Sequence, residues 1–486
     1  MQQIEIDYES KWYAMATVSM GVFLATIDAS IVNVAQPTLQ QALNTSFALV
    51  QWVVLAYLLV LTTLMLSMGR LADILGKKQL YLVGFIVFTA SSALCGLAPS
   101  VEWLIAGRIV QAVGAAMIMA IGPAIITESF PAAERGKALG IIGAVVSIGI
   151  VFGPVAGGLI LQALSWHWIF FVNVPIGIIG SFMVIRFVVS ITPDGNQRFD
   201  YSGAAIMCIS LLLLLLGLTI GQEVGFAAPA VLALMGVSLI GFVVFVLVEQ
   251  RVAQPMIDLD LFRVKPLSIG VLNGFLVFVL IGGLLYLMPF YLKHILHHDD
   301  LTTGLLLAAL PIGLGITSPI SGMLSDRFDT NIITLIGLIV LLVGFLFAST
   351  IDAHTTMVGY VVRFLPIGLG LGFFQSPNNS AILGVAPRHQ LGIVSSMLGL
   401  SRTLGQTVGI PVLNALWVSR TMLATGDTFE GDVTLAPVDA QIMGLHETFI
   451  VIIAIQVLAV LLGLWLLFQQ PAKQTQPEQP EHVIVP

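Results

Sequence analysis

Charge is what this chain has least of. Only 9% of its 486 residues are Asp, Glu, Lys or Arg, against roughly 25% in a soluble domain, while 57% are hydrophobic and the mean hydropathy is +1.00. An ordinary soluble protein is excluded. The two cysteines, Cys95 and Cys208, both fall inside apolar runs with no ligand or disulfide spacing around them, and they read as packing residues. No Ser/His/Asp set, phosphate loop or ATPase signature occurs, so neither an enzyme nor an ATP-driven pump is expected. The run His297-His-Asp-Asp300 sits at the edge of an outer loop without helical ligand spacing, and no metal site is expected there. The formal charge of −7 comes largely from the tails and the last outer loop, which offers nothing to nucleic acid. The first apolar run is too long for a signal core and no small-residue cleavage site follows it, so it is expected to stay as the first helix.

What the chain has is long apolar runs. Fourteen of them reach the ~20 residues needed to cross a bilayer, near 12–35, 48–68, 79–97, 102–127, 137–162, 168–189, 202–221, 228–248, 267–292, 302–322, 331–350, 356–385, 393–418 and 446–468. The predicted class is an all-α polytopic membrane protein. Lys11, Arg70, Lys77, Lys78, Arg135, Lys137, Arg263 and Arg327 fall in alternate loops and the opposite loops hold little beyond Lys293 and Arg420. The positive-inside rule then makes both termini cytoplasmic in a plasma, or inner, membrane.

Two polar segments, 190–200 and 249–266, bracket a hairpin of two spans with almost no polar residues. The chain therefore divides into an N-terminal six-helix bundle (1–190), an inserted hairpin with its linkers (191–266), a C-terminal six-helix bundle (267–468) and a Gln/Pro-rich tail (469–486) expected to be disordered. An internal repeat relates the bundles. Gly69-Arg-Leu-Ala-Asp73 recurs as Gly322-Met-Leu-Ser-Asp326 at an offset of 253, Arg108 as Arg363 at 255, and the pair Gly149 and Gly153 as Gly405 and Gly409 at 256. Parallel six-helix repeats with a midplane site between them are one architecture of secondary transporters.

Asp28 lies inside the first span, where a carboxylate costs roughly 2.5 to 3.5 kcal/mol and marks a functional site by default. At ~1.5 Å per residue, Asp28 and Arg108 each lie roughly 10 Å from the same membrane face, on helices running in opposite directions, so they can meet. A neighbouring arginine favours the ionised acid and burial the neutral one, an opposition suited to a proton carrier; a purely structural ion pair is the alternative. Gln111, one turn further along the fourth helix, is placed to hold the arginine. Asp73 is placed to face the positive N-terminus of a helix from the other half, and Gly69 to allow close approach there. Asp326 and Arg327 repeat that arrangement, with a weaker pattern beyond Arg327. Gly149, Gly153, Gly157 and Gly158 make a small-residue helix face kinked at Pro154, expected to pack tightly against the other half and close the inner route.

These stretches resemble the major facilitator superfamily, and within it the fourteen-helix drug:proton antiporters of the EmrB/QacA type. Gly69-Arg-Leu-Ala-Asp-Ile-Leu-Gly-Lys-Lys78 is similar to the loop motif of the superfamily, departing at Ile74, where a basic residue is usual. Arg108-Ile-Val-Gln-Ala-Val-Gly114 resembles the fourth-helix motif. Gly149-Ile-Val-Phe-Gly-Pro-Val-Ala-Gly-Gly158 matches the fifth-helix antiporter motif, and Asp28 to Pro37 is similar to a signature of the fourteen-helix group. Trp166-His-Trp-Ile-Phe-Phe-Val-Asn-Val-Pro-Ile-Gly177 adds to the likeness, with His167 where Arg is usual. The resemblance implies that Lys77 and Glu128 complete a charge relay with Asp73, that the fifth-helix motif marks exporters, and that the proton is the coupling ion with no other cofactor.

Further polar residues in the spans are candidates for a substrate cavity: Asn33, Gln51, Tyr57, Asn273, Arg363, Gln375, Asn378, Asn379, Arg402 and Gln406. Together these readings predict a proton-coupled exporter of lipophilic small molecules. Its partners are the lipid bilayer and, where the host has two membranes, a periplasmic adaptor. Transport of one endogenous metabolite on the same scaffold is the first alternative. A non-transporting receptor or scaffold is the second, against which Asp28 and the two loop repeats argue.

Overall fold

A computed structural model describes residues 11–190, 198–425, 433 and 436–469. The tail beyond Gln469, linker residues 191–197, most of the last outer loop and the side chain of Asp300 lie outside the described residues. Those described form helices and no strand, as backbone groups in lipid must satisfy one another internally. The helices are α1 (Lys11–Ala42), α2 (Phe47–Leu75), α3 (Lys77–Gly96), α4 (Val101–Ser129), α5 (Arg135–Ala163), α6 (Trp168–Phe171), α7 (Asn173–Phe187), α8 (Tyr201–Val224), α9 (Pro229–Glu249), α10 (Lys265–Phe290), α11 (Asp300–Leu307), α12 (Ala309–Arg327), α13 (Thr330–Ala348), α14 (Met357–Val385), α15 (Leu391–Thr425) and α16 (Val438–Gln469). Thirteen segments among the described residues are long and apolar enough to cross a bilayer, with α6 and α7 together making one and α11 and α12 another. The fourteenth is α15, 35 residues long, whose hydropathy Arg402, Gln406 and Arg420 hold down.

Helix ends depart from the expected spans where polar residues still satisfy helical geometry. The outer loop expected over 419–445 is helical at both ends, since α15 runs to Thr425 and α16 begins at Val438. Pro37 sits inside α1 rather than ending it. The tight reversal from α2 to α3 rests on Gly76, whose φ of 100° lies in the left-handed region that a side chain disfavours.

Packing separates one end of the molecule from the other. At the end that carries the described termini, Ala72, Phe130 and Leu139 of the first half share one apolar core with Leu267, Leu383 and Val394 of the second. At the opposite end the halves have separate cores, one around Ile31, Leu104 and Phe170, the other around Leu284, Phe345 and Phe449. The hairpin α8–α9 packs on itself and leans on α2 and α15. The two halves are therefore joined at the terminal end and part beyond mid-membrane.

Candidate functional site

Asp28, in the middle of α1, is fully buried, as is Arg108 of α4. Arg108 Nη1 donates to Asp28 Oδ2 at 2.5 Å and to Gln111 Oε1 at 2.6 Å, and its Nε donates to the Val53 carbonyl at 3.1 Å. The other carboxylate oxygen accepts from Gln111 Nε2 at 3.0 Å and from Asn173 Nδ2 at 2.7 Å. Gln111 Nε2 also donates to Ser92 Oγ, and the guanidinium lies 4.0 Å from the centre of the Tyr57 ring. Every polar contact to Asp28 is a donor, the complement of an ionised carboxylate. Five helices (α1, α2, α3, α4 and α7) thus supply one polar cluster around a carboxylate that water does not reach. Asn173 and Ser92 escaped the sequence reading, although Asn173 stands in the Trp166–Gly177 stretch.

Two carboxylates bridge the halves at the terminal end. Asp73 accepts from the backbone N–H groups of Gly392 and Ile393 at 2.8 and 2.9 Å, in the first turn of α15. Asp326 accepts from those of Gly136 and Lys137 at 2.7 and 2.8 Å, in the first turn of α5. These N–H groups have no partner within their own helices, and the helix dipole favours an anion there. Lys77 Nζ lies 3.1 Å from Asp73 and 2.9 Å from Glu128, a bridge with no counterpart around Asp326 among the described residues. Arg327 is exposed and makes no ion pair among the described residues. Close backbone contact accompanies each capped end: a Cβ on Gly69 would meet the Gly392 carbonyl at 2.5 Å, and Gly136 packs equally tightly on Gly322.

The glycine face expected to seal against the other half faces elsewhere. Gly149 and Gly153 pack on Thr26 and Ser30 of α1, in their own half, Gly157 lies beside Ile31, and Gly158 has open space. Pro154 supplies no N–H to the Ile150 carbonyl, which instead accepts from Ser30 Oγ at 3.2 Å. The seam with the other half lies lower on the same helix, where Gly136, Gly140 and Gly143 meet Gly322 and Ser318 of α12. It reaches mid-membrane, where Ser147 Oγ donates to the Pro311 carbonyl. Thus α5 presents one glycine series to α1 and another to α12.

Between the halves, beside this seam at Gly143 and Ser318, lies a cavity of about 50 Å³. Of the cavity candidates, Gln375, Asn378, Asn379 and Arg402 line it. Tyr57 and Gln111 belong instead to the Asp28 cluster. Arg363 turns toward the opposite end, donating to Thr350 Oγ1 at 2.9 Å and the Gly359 carbonyl at 3.0 Å. Asn33 is exposed beside Gln36, Asn273 is buried outside the lining, and Gln51 and Gln406 are half-buried away from it.

The family described as Major Facilitator Superfamily matches residues 18–410. The chain is 36% identical to the riboflavin transporter RibZ of Clostridioides difficile (strain 630) over 402 residues, covering 82% of this chain and 87% of that one. It is 31% identical to the multidrug transporter protein MdtP of Bacillus subtilis (strain 168), covering 82% of this chain and 74% of the relative. Among solved structures, the human organic anion transporter MFSD10 superposes with a TM-score of 0.66 at 15% identity, covering 93% of this chain and 99% of that one, a likeness of fold alone.

Proposed function

The chain belongs to the major facilitator superfamily, and on that premise we propose that it exports lipophilic small molecules in exchange for protons by alternating access. Fold and relatives are those of transporters rather than enzymes. The single observation that carries the proton step is Asp28, a carboxylate sealed from water and held by donors from three neighbouring side chains.

In this reading the termini are cytoplasmic, and the structure has its cytoplasmic end sealed by Asp73 and Asp326. A proton reaching Asp28 from outside weakens its ion pair with Arg108. Helix α1 is then freed to shift against α4 and α7. Its Thr26 and Ser30 sit in the Gly149 and Gly153 notches of α5, so the shift carries α5 with it. The N-terminus of α5 is the one that Asp326 caps. Loosening it opens the cytoplasmic end, where the proton leaves and cargo enters. Ion pairs broken and remade between two arrangements are what let two sites bias one equilibrium.

Accumulation of a panel of lipophilic dyes, in a host stripped of its own exporters, tests this. Cells expressing the chain should retain less dye, and an uncoupler should abolish the difference. Retention that is low and indifferent to the uncoupler would refute proton coupling. A second reading, transport of one specific metabolite, is favoured by the 36% identity to a protein named as a riboflavin transporter. Riboflavin retention in the same cells separates the two.

A further inference from the structure

The cavity between the halves is electrically lopsided. Among the described residues that line it, Arg402 of α15 is the only charged one, and no acid accompanies it. Asp28 is no counter-ion for it, because its oxygens are taken by Arg108, Gln111 and Asn173 and it is fully buried outside the cavity. Arg402 has no hydrogen bond or ion pair among the described residues, and neither do its fellow lining residues Gln375 and Asn379. An unpaired guanidinium between two packed bundles is unfavourable until an acceptor meets it. The facing wall, from the first half, is apolar: Val22, Met119, Leu139, Ile142 and Val146.

We propose that this cavity, which at about 50 Å³ holds only the head until the halves part around it, takes amphiphiles with a single oxyanionic head, a carboxylate or sulfonate, the head on Arg402 and the apolar body against the first half. The planar fork of arginine binds two oxygens of such a head at once, and the amides of Gln375 and Asn379 add donors beside it. Cations find no counter-charge there. This names the cargo class of the transporter proposed above, but binding needs no gradient, so its failure is distinct from failure of proton coupling.

Equilibrium binding to the purified full-length chain in lipid nanodiscs tests it, with empty nanodiscs as the blank. The probes are 8-anilinonaphthalene-1-sulfonate, its uncharged analogue N-phenyl-1-naphthylamine, and a naphthyl trimethylammonium cation. The sulfonate should bind at least about tenfold more tightly than the uncharged analogue, ~1.4 kcal/mol, with the cation weakest. Arg402→Gln should remove that preference while leaving affinity for the uncharged probe within about threefold, and Arg402→Lys should keep most of it. Should Arg402→Gln not fold, Asn379→Leu reads the same wall, with a several-fold loss for the sulfonate alone expected. Equal or tighter binding of the uncharged or cationic probe, a preference that survives Arg402→Gln, or an Asn379→Leu variant unchanged for the sulfonate would overturn the proposal.

Discussion

Asp28 and Arg108, eighty residues apart in sequence, meet at 2.5 Å with neither side chain exposed. Removing one partner of such a pair leaves the other charge buried alone, at about 3–5 kcal/mol, whereas removing both is far less costly. Asp28→Asn should therefore lower the thermal midpoint of the purified protein. The double variant Asp28→Asn/Arg108→Gln should recover most of that loss yet fail to couple transport to protons. A double variant no more stable than the single one would contradict the account of the pair.

The two inter-half caps make a second prediction. Losing a capping side chain at a helix N-terminus costs about 0.5–2 kcal/mol, so Asp73→Ala and Asp326→Ala should each shift the molecule toward a form open at its terminal end by a few-fold or more. Cysteine labelling from the terminal end, at positions lining the cavity, should speed up accordingly. Labelling rates equal to wild type in both variants would remove the locking role.

Much of this was legible in sequence. The apolar runs predict the fourteen helices, and depth along α1 and α4 brings Asp28 to Arg108. The repeat pairs Asp73 with Asp326 and points each at a helix start. Glycine spacing, by contrast, predicts close approach without saying to what. The series 136, 140, 143 and the series 149, 153, 157 share one helix, and only bundle geometry sends the first to α12 and the second to α1. Arg363 shares the register of Arg108, but Gly283 stands where the repeat would place the counterpart of Asp28, and the Gly359 carbonyl and Thr350 hydroxyl draw it outward. Asn173 reaches Asp28 from 145 residues away, and the Trp166–Gly177 stretch that holds it does not say what it meets.

That division of α5 yields a third prediction. A side chain at Gly140 would meet the Ser318 carbonyl, and one at Gly153 would meet Ser30. Gly140→Val should keep the terminal end from closing, so that end becomes constantly accessible to a labelling reagent. Gly153→Val should instead disturb α1 against α5 and lower coupled transport, while the caps at Asp73 and Asp326 persist. Identical labelling patterns in the two variants would show that the two glycine series do not have separate jobs.

Cargo charge sets the response to voltage if one proton enters per molecule exported. Exchange against a monocation moves no net charge, against a neutral molecule one charge, and against a monoanion two, each charge being worth ~2.3 kcal/mol per 100 mV. Efflux from liposomes, measured under a voltage with no pH difference, should therefore rise in that order. Voltage-driven export of a monocation would reveal a second proton site.

The central claim is that Asp28 carries the exchanged proton. Its most direct test is a pH-sensitive dye inside proteoliposomes, recording proton movement when a transported ligand is added under an imposed pH gradient. The wild-type chain should show ligand-dependent proton flux coupled to uphill ligand movement. Asp28→Asn, reconstituted at equal density with ligand binding retained, should show neither. Uphill, proton-coupled transport by the Asp28→Asn protein would contradict the account.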